Sequence, residues 1–472
     1  MTTELRIRVG DRPDARRLRS WLRRTRRRHR ESSLGDLFTD AYVLVLFCGM
    51  YGWALFDGVR DYLGSPSGRQ GDPGDRYWIG VAAALTVVGL AWRGLRAVGP
   101  LVVAPAAQSW VVSSPVDRRA WLLPRFVGLL VAAFAGGGLL GLASAAATGG
   151  GGAHRLAGSA TAGAACATAA VALAVVAQAS PRTSGWVRVL DRALFGVGAA
   201  VAAMVVAGHL AGWSVPPPAG SVIGVVALVA WPPTVTVVVL AYRALPFVDR
   251  ASLASGAQAA GAAAGATVML DPSILTDLVE SRRWRSIGRV ASRRFRPLGR
   301  FGVLVQAELW RPVRHPSALV VWAALLLTTY AVAVALPASA GPAQVVLGFL
   351  AAGRLTGGLR AVNRSAGLRR ALGGGDTLVT LAHLVVPAVA VVVWYAATLP
   401  AVRSGVGVGV IDGVLVLGTV AAAYRAGTRP PMTYGGAAAD TPFGMIPVDL
   451  VRQVVRGPDV VGALVVAQML WG

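Results

Sequence analysis

Apolar residues fall along this chain in blocks of about 20, the length a helix needs to cross a hydrocarbon core of about 30 Å. They do not form one-sided stripes. The blocks predict eleven spans: roughly 41–57, 77–103, 122–147, 156–179, 193–212 and 220–244, then 317–336, 342–358, 377–399, 407–424 and 458–472. The aromatic pair Tyr77–Trp78 opens the second span with residues suited to a membrane interface. Polar or flexible separators interrupt the blocks: the Gly149–Gly152 run, the 180–192 loop and Pro216–Pro218. The expected fold class is all-α, a polytopic transmembrane helix bundle.

Residues 245–315 contain no such block. The stretch 251–268 is rich in Ala and Gly and too weakly apolar to insert, and Asp271 or Ser273 is placed to cap a helix after it. A dense arginine run follows, from Arg282 to Arg300. The segment 302–314 alternates Val303, Leu304 and Ala307 with Arg311 and Arg314 and includes Trp310, the pattern of a helix lying on a membrane surface. Four regions result: an arginine-rich segment 1–40, a first membrane half 41–244, a basic linker 245–316 and a second membrane half 317–472.

Composition agrees with the blocks: 14% of residues are charged, against about a quarter in a soluble domain. Charge then orients them. All 46 basic residues are Arg, and the net charge is +24. With the N-terminus inside and sides alternating through eleven spans, the outer loops hold only Arg60, Arg69, Arg76, Arg155 and Arg403. The rest fall on the inner side, as the positive-inside rule requires, so the C-terminus is expected outside. The long charged start and the lack of a small-residue cleavage site argue that the run 41–56 is retained and is not a secretory signal.

The absence of Lys excludes P-loop chemistry, the kinase strand Lys, S-x-x-K acyl-enzymes and Schiff-base catalysis. Arg-only usage with abundant Ala, Gly and Val also fits a GC-rich genome, and the chemical consequence is the same. Cys48 and Cys166 lie in apolar blocks and make no disulfide framework. The five His, at 29, 154, 209, 315 and 383, lack metal-ligand spacing, so no metal or cofactor is expected. Gly137 and Gly141 form a G-x-x-x-G, read as close helix packing rather than dimerisation because Gly is common throughout.

Two short echoes suggest a degenerate internal repeat. S-P-V-D-R-R-A-W (Ser114 to Trp121) follows the second span, and S-A-G-L-R-R-A-L (Ser365 to Leu372) follows the eighth. A-Y-R-A occurs at 241–244 and again at 423–426. The offsets differ, 251 against 182, so either the second half lacks about two spans or the second echo is chance.

The segment S-S-P-V-D-R-R-A-W-L-L-P-R, Ser113 to Arg125, resembles the cytoplasmic loop between the second and third spans of ABC type-2 exporter permeases. E-L-W-R-P-V-R-H-P-S, Glu308 to Ser317, is similar to their amphipathic helix before a first span. The tail from Thr441 to Asp459 resembles a group of actinobacterial membrane proteins without assigned function. The resemblance implies a bacterial inner-membrane permease, and a fused pair of permease halves, the second shortened, would account for eleven spans instead of six. It also implies a separate ATP-binding subunit docking on cytoplasmic loops. Ser114, Pro115, Asp117, Arg118 and Arg119 would then form one coupling element and Ser365, Arg369 and Arg370 a second. Asp117 is also placed to cap the next helix and Pro124 suits its first turn. The same arginines could instead be anchors touching anionic lipid. The 282–300 arginine run sits between membrane halves with few aromatics, so it reads as a lipid or partner face, and nucleic acid is not expected.

Ionisable residues within spans are functional candidates. Here they are Asp412 and His209 toward the outer side, and His383 and Arg354 toward the inner side. Asp412 could equally be a hydrated helix end near Arg403. Two other classes stay open: a scaffold subunit of a larger membrane complex, and a lipid-linked glycosyltransferase using the outer carboxylates Asp57, Asp61, Asp72 and Asp75.

Overall fold

The structure, a computed structural model, describes residues 72–103, 117–147, 152–180, 185–254, 294–314, 316–373, 375–402, 409–429, 438–441, 444–447 and 454–471, with a few isolated positions. Helices dominate. In chain order they are α1 (Pro73–Val98), α2 (Arg118–Ala147), α3 (Ala153–Ala179), α4 (Gly185–Leu210), α5 (Gly220–Ala244), α6 (Arg300–Arg314), α7 (Ser317–Ala335), α8 (Ala340–Leu355), α9 (Gly357–Arg364), α10 (Ala366–Leu372), α11 (Asp376–Val402), α12 (Val410–Gly427) and α13 (Pro458–Trp471). A short antiparallel hairpin pairs β1 (Ala438–Thr441) with β2 (Gly444–Pro447).

Among the described residues, eight helices are long and apolar enough to cross a membrane: α1 to α5, α7, α11 and α12. A ninth span results if α8 and α9, bent by 60° at their junction, count as one. The chain is therefore an all-α polytopic bundle. Of the eleven expected spans, 41–57 lies outside the described residues. The expected 458–472 span is α13, whose 14 residues rise only about 21 Å. The Asp271 and Ser273 caps also fall outside the described residues. Large apolar side chains on α2, α5 and α11, such as Phe134, Leu139, Leu228 and Val392, are exposed, as lipid-facing positions would be.

The chain divides into two compact units: residues 1–69, 77–201 and 216–281, and residues 70–76, 202–215 and 282–472. The boundary thus falls at 281, inside the expected 245–316 linker.

In the first unit, Asp117 starts α2, its Oδ1 accepting from the Arg119 N–H at 2.9 Å. The helix therefore begins earlier than the 122 expected, and Pro124 lies inside it rather than in its first turn. The earlier cap moved the start by about one turn. Trp121, Leu122 and Phe126 of α2 pack on Ala172 and Val175 of α3, Ala241 of α5, and Leu245 and Val248 beyond it. The closest approach is between α2 and α3. A Cβ on Gly137 would overlap the Gly163 carbonyl, one on Gly141 the Ser159 carbonyl, and one on Gly163 the Gly137 carbonyl. Here Gly is required by contact, not by turn geometry. Gly99 is different: its φ of 83° ends α1, and the Gln178 amide then bonds both the N–H and the carbonyl of Leu101, each at 3.1 Å.

In the second unit, α8, α11, α12 and α13 enclose Val345, Ala351, Ala352, Val391, Trp394, Leu415, Ala422 and Leu464. Buried polar side chains join these helices. The Gln344 amide donates to Thr398 Oγ1 at 2.8 Å, Trp394 Nε1 donates to the Gln344 carbonyl at 3.1 Å, and Tyr395 and Thr419 share a 2.9 Å hydroxyl contact. With no water in the hydrocarbon layer, such groups must find partners within the protein.

Candidate functional site

The arginine-rich end of the second unit carries three short helices, α6, α9 and α10, against the start of α11. Helix α6 has three distinct faces. Leu304, Glu308 and Arg311 recur at i, i+4 and i+7 and turn toward the protein, with Leu304 and Glu308 buried. Phe301, Leu309 and Val313 are exposed and apolar. Arg300 and Arg314 belong to the remaining polar face. Such a helix can lie along a membrane surface while holding the bundle with its third face.

Glu308 makes that hold specific. Its side chain is 3% exposed and its Oε1 lies 2.7 Å from Nδ1 of His383 on α11, whose side chain is 7% exposed. Arg311 Nε stands 3.5 Å from the same oxygen. His383 Nε2 is buried and has no hydrogen-bond partner. Glycine makes room for the carboxylate: a Cβ on Gly358 of α9 would fall on Glu308 Oε1, and one on Gly357 would come within 3.0 Å of the Arg311 guanidinium. Around them Leu304, Val362, Val379 and Ala382 form an apolar cluster. A buried carboxylate facing an imidazole at this distance must share hydrogen, since leaving either unsatisfied costs about 1–3 kcal/mol.

The expected second coupling element lies on α10. Ser365 caps α10, its Oγ accepting from the Leu368 N–H at 3.1 Å. Arg369 Nε is 3.8 Å from Asp376 Oδ1, and Arg370 Nε donates to the Ala366 carbonyl of its own helix. Gly373, at φ 64°, ends α10, and the Arg300 guanidinium of α6 donates to the Leu372 carbonyl. The helix carrying Ser365, Arg369 and Arg370 is thus joined to α6 through Arg300 and to α11 through Asp376, the two helices that hold Glu308 and His383.

In the first unit, Ser114 and Pro115 lie outside the described residues. Arg118 is exposed and lends one N–H to the Val248 carbonyl at 3.4 Å. Arg119 stacks over the ring of Tyr242 at 5.1 Å, inside the first A-Y-R-A copy.

The remaining intramembrane candidates do not converge. Asp412 is buried in the first turn of α12, where its Oδ2 accepts from the Gly409 N–H at 2.8 Å, a helix-start role. His209, about half exposed near the end of α4, has Nδ1 3.2 Å from the buried Asp75 carboxylate. Asp72 caps α1 through the Gly74 N–H at 2.6 Å and accepts from Ser214 Oγ at 3.1 Å. Asp72 and Asp75, two of the outer carboxylates, thus have local partners; Asp57 and Asp61 lie outside the described residues. Arg354 is exposed in the last turn of α8. Among the described residues, no three His, Cys, Asp or Glu side chains gather as a metal site would need.

Sequence reasoning placed Glu308 in a motif but not in a site. The signal was available: a lone carboxylate at i+4 from Leu304 on an otherwise apolar stripe, with Arg311 one turn on.

Residues 70–437 match a family described as a family of unknown function, DUF6297, and the chain belongs to it. No curated protein and no solved structure matches the chain.

Proposed function

We propose that this member of a family of unknown function is the membrane-spanning subunit of an ABC-type exporter, with ATP hydrolysis supplied by a separate ATP-binding subunit. One observation carries the reading: α9 and α10 sit between α8 and α11 in the second unit, and α6 is tied to α11 by Glu308–His383 and to α10 through Arg300. A short, capped, arginine-bearing element braced against an amphipathic helix suits the transmission of motion from a soluble partner. In the first unit, Arg118 and Arg119 open α2, the helix that follows α1. The absence of Lys fits a chain that hydrolyses no ATP itself. The arginine-rich ends belong to the cytoplasmic side of a bacterial inner membrane by the positive-inside rule. Labelling at Gly68→Cys from outside and at Arg285→Cys only from inside tests this orientation, and the reverse pattern overturns it.

Affinity purification of the full chain from native membranes should bring down a P-loop ATPase. Arg118→Ala with Arg119→Ala, or Arg369→Ala with Arg370→Ala, should lower its recovery at equal membrane level. Interfacial arginine pairs contribute roughly 2–5 kcal/mol when desolvated and far less at a rim. A chain that purifies with other membrane proteins and no ATPase is a scaffold, and the exporter reading fails.

A further inference from the structure

At the arginine-rich end of the second unit, three elements that are distant in sequence meet. They are the last residue of α9, the residues just past α12, and the turn before α13. Contacts between small residues set their spacing. A Cβ on Gly427 would lie 2.6 Å from Leu359 Cδ2, and one on Gly457 2.9 Å from the Ala426 Cβ. Gly457 also has φ 108°, a conformation Gly tolerates and most residues do not. The segments that carry the arginines therefore pack in close contact.

Those arginines are Arg364 on α9, Arg429 beyond α12, and Arg456 in the turn. Arg429 donates through Nε at 3.0 Å and through a terminal nitrogen at 2.8 Å to the Arg456 carbonyl, which fixes its guanidinium in the turn. Burial, then the like charges of Arg364 and Arg456, hold the Arg429 pKa below the ordinary arginine value. Among the described residues the nearby carboxylate is Asp459. It is engaged by Arg425 at 2.5 Å and by the Gly457 and Val460 N–H groups at 2.8 and 2.9 Å. Arg456 Nε is buried and has no hydrogen-bond partner.

Cations near helix C-termini are favoured by the helix dipole, and Arg364 and Arg425 need no further reason. The dipole does not explain a half-buried guanidinium set among like charges, nor a buried N–H donor left over. An anion with several acceptor oxygens resolves both. The site lies just beyond the apolar stretches of α12 and α13, where the headgroup layer falls if those stretches lie in the hydrocarbon. Planar guanidinium groups match phosphate oxygens in geometry as well as charge. We propose that Arg364, Arg429 and Arg456 form a binding site for the phosphate of an anionic phospholipid headgroup. This does not depend on the transport reading.

The test uses the full chain in a neutral detergent, with its melting temperature followed against added dioctanoyl phosphatidylglycerol, dioctanoyl phosphatidylcholine or inorganic phosphate. Phosphatidylglycerol should give a saturable rise that phosphatidylcholine does not. Arg456→Gln removes the guanidinium but keeps the carbonyl that Arg429 binds, so the local fold should be retained. It should weaken the apparent affinity about tenfold, the cost of a charge-assisted contact. Arg456→Lys keeps the charge but loses the fork and should fall in between. Arg452→Gln, exposed one turn earlier, should match the wild type. Equal effects of the two lipids, or an affinity unmoved by Arg456→Gln, would overturn the site. Inorganic phosphate acting as well as phosphatidylglycerol, and lost in Arg456→Gln, would uphold the phosphate chemistry and overturn the lipid source.

Discussion

The two units solve the same packing problem by different means. Between lipid-bathed helices, apolar burial gives little net attraction, because lipid tails are as apolar as leucine. The first unit answers with backbone proximity: Gly137, Gly141 and Gly163 let α2 and α3 meet carbonyl against glycine. The second unit answers with side-chain hydrogen bonds across helices, from Glu308–His383 at one end to Gln344–Thr398 further along α8 and α11. The difference suits their local chemistry. Close glycine seams gain dispersion over long contacts and tolerate no added atom. Hydrogen-bonded pairs specify rotation and register at single points, and each can be removed or retained on its own.

The glycine seam should break hardest. Gly163→Leu has nowhere to place its side chain except against the Gly137 carbonyl and the Gly141 backbone. Overpacking of a tight core costs about 1–3 kcal/mol, and overlap with backbone should reach the top of that range. Thermal unfolding in detergent should show it, while Gly136→Ala, which faces open space one position from Gly137, should be neutral or slightly stabilising. A tolerated Gly163→Leu would mean that α2 and α3 do not meet along this seam.

Glu308→Ala should come next, at about 2 kcal/mol, because it strands a buried imidazole. The loss should be local: hydrogen exchange should rise along α6 while α8 and α12 stay protected. Glu308→Gln, which keeps an acceptor, should recover most of it. Exchange that rises equally over the whole unit would show that the pair does not act as a tether for α6.

The smallest effects belong to the neutral pair. Gln344→Leu and Thr398→Val should each cost about 0.6 kcal/mol, the usual worth of an interhelical hydrogen bond in a membrane protein. Their double mutant should cost less than the sum, and strict additivity would argue against the Gln344–Thr398 bond.

Much of this was legible beforehand. Block length and arginine spacing located α2, α3, α5, α7, α11 and α12 to within a few residues, because a helix must keep about 20 apolar positions in lipid and its arginines out of it. The amphipathic reading of 302–314 corresponds to α6. Helix ends shifted where a cap intervened, as at Asp117, and the eighth block proved bent at Thr356, where Gly357 and Gly358 yield to the Glu308 carboxylate. Residues singled out one by one, His383 and Arg354, Asp412 and His209, shared a composition rule but not a location.

By itself the sequence determined that the apolar blocks are helices long enough to cross a membrane, since a block of about 20 apolar residues can satisfy its own polar backbone in lipid only as a helix. It also determined on which ends positive charge collects. Only the tertiary structure decided that Glu308 meets His383 across 75 residues, that Gly137 meets Gly163, and that Arg364, Arg429 and Arg456 crowd together. The reason is that a helix apolar on every side carries no hydrophobic stripe to set its rotation. Which face turns inward is settled by a few polar atoms and missing side chains on neighbouring helices, and those become neighbours only once the bundle has formed.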